Sequence, residues 1–233
     1  FRTLLIIDDG KRDMTLEEEI ERLDKIFGDL VRKSPKNAAD MEEMERMRIL
    51  RMNALLQQGR PLADEVREVG IEIKSVWDFV NSDEKYPEAI PVLIKHLSRP
   101  YHRAIKEGIV RALAVKAAKG LANKAVIEEY QRLPREDLER PWIRDFRWAF
   151  GNTMSVIVTK DDLDELIKIV TDESNGESRT GFIEALAKIK SPKVIEVLHQ
   201  LENDKNQIVA DRAKKILAKK TKAAERKTKK KNP

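Results

Sequence analysis

Two different helical patterns recur along this chain at nearly the same interval, and that constrains the fold more than any other feature. The first is an eight-residue pattern beginning at Ile90, Val126, Leu163 and Val194, offset by 36, 37 and 31 residues. Its first, fifth and eighth positions are apolar or aromatic in every copy: Ile90, Ile94 and Leu97; Val126, Tyr130 and Leu133; Leu163, Ile167 and Val170; Val194, Leu198 and Leu201. Its fourth position is apolar in three copies and is Glu129 in the other. That spacing places the apolar residues on one face of a helix. The second pattern ends at Leu113, Phe150, Leu186 and Leu217, offset by 37, 36 and 31 residues. Two helices repeating in step imply a repeated helix pair. Such a pair cannot bury its apolar face alone and has to stack on its neighbours.

The turn residues agree with this division. Pro100, Pro141 and Pro192 fall near helix starts, where a missing N–H costs least. Thr159-Lys-Asp-Asp162 offers N-caps ahead of Leu163. Asp172 and Asp204 fall between the two helices of their pairs, and Gly120 and Gly151 fall where second helices are predicted to end.

These residues resemble HEAT repeats, whose pattern has an Asp in the inter-helix turn and a basic residue seven positions before an Ala-Leu pair. Arg179 stands seven before Leu186, Lys106 stands seven before Leu113, and Asp172 and Asp204 occupy the turn positions. The second repeat departs from the pattern, with Ile143 at the basic position and no turn Asp. The resemblance covers residues 86–220 and implies an all-α fold: a right-handed α-solenoid of HEAT-like antiparallel helix pairs.

Residues 15–85 continue in looser form as a helical cap and a divergent first repeat. Thr15 and Glu18 fit a capping box. A first helix carries Leu16, Ile20, Leu23, Phe27 and Leu30 on one face. A second spans about Ala39 to Gln58 and is predicted to break at Gly59-Arg-Pro61. A third runs from about Leu62 to Val80. Residues 1–14 read as an extended arm, and residues 221–233 as a disordered basic tail.

Composition narrows the function classes. Charged residues make up 37% of the chain, more than a compact sphere accommodates easily and well suited to an extended helical array. There is no cysteine, so disulfides and thiolate metal sites are excluded, and a cytoplasmic, intracellular setting is expected. No apolar run reaches membrane-spanning length. The net charge of +5 arises from residues 98–151 and 202–233, while the stretches 1–97 and 152–201 are acidic.

No nucleotide-binding glycine loop, nucleophile elbow or metal-ligand motif is present. His96 and His199 read as solvated residues at near-equivalent positions of two first helices, and His102 as a turn residue. HEAT-type iron hydroxylases use paired His-Glu motifs that this chain lacks. No cofactor and no metal are therefore expected.

The unusual cluster is Arg140-Pro-Trp142-Ile-Arg144-Asp145-Phe-Arg147-Trp148-Ala-Phe150. One reading makes Trp142, Phe146 and Phe150 core, with Asp145 paired to a neighbouring Arg. A second reading builds a basic stripe on the second helices from Arg103, Lys106, Arg144, Arg147, Arg179, Lys214 and Lys215, with Trp148 as a stacking platform. HEAT-like alkylpurine DNA glycosylases resemble the second arrangement, and that likeness makes Asp145 the candidate carboxylate. Taken together, the residues predict a non-catalytic module holding a protein partner on its concave face. A nucleic-acid-binding protein or DNA-repair enzyme using the same groove is the alternative.

Overall fold

Local capping and amphipathic patterning set the first two helices. In the computed structural model, residues 14–80, 82–135 and 142–231 are described, with side chains through residue 222. Residues 1–13 of the predicted arm, and Pro141, lie outside them. The described residues are helical, with no strand among them.

Helix α1 (Leu16–Arg32) opens on the Thr15/Glu18 capping box, with both reciprocal bonds present. It packs against α2 (Ala38–Glu68), and Ile20, Leu23, Met47 and Ala54 form a small core between them. The predicted break at Gly59-Arg-Pro61 does not occur, and α2 runs through Pro61. An interior proline costs roughly 3 kcal/mol and a glycine about 1 kcal/mol relative to alanine. Burying Leu62, Ala63 and Val66 in the main core outweighs both, at ~1.5–3 kcal/mol for each large apolar side chain. The helix stops instead at Gly70, whose φ of 86° suits glycine. Gly70 N–H donates to Arg67 O and Ile71 N–H to Val66 O, a Schellman closure. A short helix, α3 (Trp77–Val80), follows.

Four helix pairs come next: α4 (Ile90–Leu97) with α5 (Arg103–Ala112), α6 (Asn123–Arg132) with α7 (Trp142–Ile157), α8 (Leu163–Thr171) with α9 (Arg179–Leu186), and α10 (Pro192–Leu201) with α11 (Gln207–Lys231). Each helix packs on its partner. The second helices also form a row, α5 on α7, α7 on α9 and α9 on α11. The repeated apolar positions supply the core: Leu93, Leu97, Val126, Tyr130, Leu166, Val170, Val194, Leu198 and Leu201 are all buried. Helix α11 extends to Lys231, past residue 221 where the sequence reads as a disordered tail. Alanine, lysine, arginine and glutamate there are strong helix formers and prolong a helix already nucleated on the core.

Gly151 does not end a helix. It sits inside α7, where α7 crosses α9 backbone to backbone: a Cβ on Gly151 would stand 2.9 Å from the Gly181 Cα. The two helices approach this closely because neither carries a side chain at the crossing.

Candidate binding face and cleft

The proposed basic stripe divides once the helices pack, because three of its members point inward. Arg147 is fully buried. Its guanidinium donates to Leu133 O, Pro134 O (3.1 Å), Asn175 Oδ1 (2.6 Å) and Ser178 Oγ, and lies 4.1 Å from the centre of the Tyr130 ring. Arg179 is buried too, and it clasps Asp204 through two bonds of 2.6 and 2.9 Å. That ion pair and a bond from Asn206 N–H hold the Asp204 carboxyl below its ordinary range, against burial, which alone would raise it. Lys106 pairs with the buried carboxylate of Glu129. Each of these cations leaves a second helix and reaches the next helix pair. Lys106 reaches the end of α6, Arg147 the turn between α8 and α9, and Arg179 the turn between α10 and α11. They join successive pairs and are not displayed to a phosphate backbone. In the second pair Arg147 makes this link from one helical turn after Ile143, the residue that aligns with Lys106 and Arg179.

The remaining candidates face outward. Trp148 is 45% exposed on α7. Arg144 stands beside it, 3.6 Å from Asp145 and 3.5 Å from Glu177. The Asp145 side chain is 77% exposed, and Arg144 is its partner. Lys214 and Lys215 are exposed on α11. Along this face acidic and basic groups alternate: Glu107 with Arg111, Asp145 and Glu177 with Arg144, Glu184 with Arg212. The core reading of the aromatic cluster holds for Phe146 and Phe150, whose rings meet edge to face at 5.3 Å.

Arg103 belongs to a different arrangement. It donates to Asp24 on α1 at 3.0 Å, and its guanidinium lies 4.6 Å from the centre of the Trp142 ring. Asp24 also accepts from Arg51 and lies 3.1 Å from His102 Nε2. Burial would raise the Asp24 carboxyl, but His102 and Arg51 outweigh it and hold the group well below the usual carboxylate range. Beside Arg103 a cleft of about 410 Å³ opens between the α4–α5 turn, the end of α6 and the start of α7. Pro100, Leu133, Trp142 and Phe146 line it with Arg103, Lys106, Arg132 and Glu129. Arg132 and Glu129 are missing from the sequence-derived candidates. The signal for them was Glu129 itself, the one polar residue at the fourth position of the repeated pattern.

His96 is a correction. It is fully buried, not solvated, because α2 covers that end of α4. Its Nδ1 lies 2.7 Å from the Tyr101 hydroxyl. Its Nε2 lies 3.1 Å from Glu65 Oε1, within ion-pair range but not aligned for a hydrogen bond. Burial lowers the His96 pKa below its ordinary value, while the Glu65 carboxylate pulls the other way. The hydrogen bond from Lys95, helped by His96, lowers Glu65 to about 2.

Among the described residues, no group of three or more acidic or histidine side chains is placed to hold a metal ion, and no helix is long and apolar enough to cross a membrane. No family model matches the chain, and neither does any curated protein or solved structure.

Proposed function

We propose that this protein is a non-catalytic binding module whose HEAT-like helix pairs stack as a right-handed solenoid and hold a protein partner across the second-helix face. The observation that carries this reading is the mixed charge of that face around the half-exposed Trp148. A phosphate-tracking groove needs unpaired cations in a row. Here Lys106, Arg147 and Arg179 are engaged inside the fold, and acids stand among the outward-facing cations. An exposed tryptophan ringed by charged pairs has the make-up of a protein interface anchor.

The test places a photo-cross-linking amino acid at position 148, with a control at Lys124 on the exposed side of α6. A partner joined through position 148 but not through Lys124, and weakened at least tenfold by Trp148→Ala, supports the reading. Cross-links confined to Lys124 would overturn it. So would tight duplex-DNA binding that survives removal of residues 219–233 and is lost in Arg144→Ala.

A further inference from the structure

The cleft beside Trp142 is separate from the Trp148 face and has its own chemistry. Its walls are apolar and aromatic, from Pro100, Leu133, Trp142 and Phe146. Among its described lining residues three cations, Arg103, Lys106 and Arg132, stand with one carboxylate, Glu129. Glu129 is nearly inaccessible and is shared by Lys106 and by Arg132, whose Nη1 lies 3.3 Å away. The Arg132 side chain is otherwise 59% exposed. A guanidinium has five N–H donors, and this contact uses one, so Arg132 keeps donors directed outward at the rim. Arg103 spends one contact on Asp24, and its guanidinium lies 4.6 Å from the centre of the Trp142 ring, which holds it at the other side. A volume of about 410 Å³ exceeds a single aromatic side chain and falls in the size range of ligand pockets. The described walls therefore offer an apolar floor for a ring, with the outward-facing guanidinium of Arg132 at the edge.

We propose that this cleft is the specificity pocket for the protein partner, taking an aromatic anchor flanked by carboxylates from an acidic peptide segment. The proposal rests on the binding-module reading and names the partner's chemistry. The ring packs between Trp142 and the Pro100 and Leu133 side, and the neighbouring carboxylates meet Arg132 and Arg103. Arg132 and Arg103 act as charge-assisted donors, which favours carboxylate over neutral acceptors.

The probe is a fluorescein-labelled peptide, Gly-Ser-Glu-Phe-Glu-Glu-Ser-Gly, followed by fluorescence anisotropy with the full chain. Saturable binding is expected. It should be abolished when serine replaces the phenylalanine or lysine replaces the glutamates, and it should weaken as salt rises. Arg132→Glu should weaken it at least tenfold and Arg132→Ala about threefold or more; in Arg132→Ala thermal melting should stay nearly unchanged, since the Arg132 side chain is mostly solvated and Lys106 still pairs with Glu129. No binding at millimolar peptide, or binding indifferent to both Arg132 variants, overturns the proposal. Phenylacetate binding as tightly as the peptide would make the cleft a small-ligand site, and duplex DNA lost in Arg132→Glu would make it a nucleic-acid site; either outcome overturns the peptide assignment. If the peptide fails while cross-linking through position 148 persists, the cleft assignment falls alone. If both fail, the module reading falls with it.

Discussion

Arg179 and Asp204 face each other through two charge-assisted hydrogen bonds, both side chains almost wholly removed from water. The pair ties α9 to the turn ahead of α11. Asp204 also accepts from Asn206 N–H, so the carboxylate organises that turn as well. Removing one partner leaves the other charged and buried, which costs on the order of 3–5 kcal/mol. Arg179→Ala should lower the urea midpoint by a corresponding amount. Arg179→Ala combined with Asp204→Ala should cost less than the two single changes added together. Additivity in that double-mutant cycle would show that the pair does not couple the last two helix pairs.

Arg144 and Arg147 are neighbours in sequence with opposite situations. Arg147→Ala strips hydrogen bonds from Leu133 O, Pro134 O and Asn175 and opens a cavity beside Tyr130. It should destabilise the fold by about 3 kcal/mol or more. Arg144→Ala removes an exposed pair worth about 0–1 kcal/mol and should leave the denaturation midpoint nearly unchanged. Equal effects of the two substitutions would contradict the burial of Arg147.

The Gly151–Gly181 crossing sets the α7–α9 distance. Alanine normally favours a helix over glycine by about 1 kcal/mol. At either position, however, the new methyl meets backbone at 2.8–2.9 Å, and backbone cannot swing aside as a side-chain end can. Gly151→Ala and Gly181→Ala should each destabilise by roughly 1–3 kcal/mol in denaturant titration, the cost of overpacking. A stabilised variant at either site would show that the helices are not held this close.

The repeat register, both cores and the Thr15 and Thr159 caps were legible in the sequence, because burial follows helical periodicity and capping is local. The course of α2 was not. Gly59 and Pro61 read as a break on propensity alone, and only the burial of Leu62, Ala63 and Val66 by distant helices reverses that. The true stop at Gly70 carried a readable glycine signal that the apolar run up to Val80 obscured. The candidate site was half legible. Basic residues default to solvent, so Arg147 and Arg179 read as surface. Yet the place of Arg179 seven residues before Leu186, on which the HEAT resemblance rests, is also the place from which it reaches Asp204, the turn residue of the next pair. The cleft joins residues from three separate segments, a juxtaposition that one-dimensional spacing does not encode.

Buried His96 makes stability depend on pH in the weakly acidic range. Its pKa is lowered by folding, so below the unfolded value of 6.5 the unfolded chain takes up a proton before the folded one does. Stability conferred by neutral His96 is full above pH 6.5 and declines as pH falls, by at most about 1.4 kcal/mol per pH unit. A second decline is expected from 4.5 toward about 2, as Glu65 is protonated. His96→Asn keeps a polar atom for Tyr101 and removes the titration. Its urea midpoint should be flatter than that of the unmodified chain between pH 7.5 and 5.5. An unchanged slope would assign the pH dependence elsewhere.

Asp24 fastens α1 to α2 and to the start of α5. In Asp24→Ala, Arg51, His102 and Arg103 lose their shared acceptor. Amide hydrogen exchange along α1 should quicken at least tenfold, while α7 and α9 remain as protected as before. Uniform acceleration across the chain would show that α1 has no stability of its own to lose.

The uninterrupted course of α2 through Pro61 has a consequence for any attempt to divide the protein. At 1.5 Å per residue its 31 residues make a rod of about 46 Å. Its first half is wrapped by α1, and its second half is embedded among α4 and α5. The helix is thus a splint set across two cores. A fragment cut anywhere along it would inherit half a hydrophobic stripe with nothing to lay it against, so the shortest piece that keeps the cleft at its natural shape carries the whole of α2, together with α1, whose Asp24 holds Arg103.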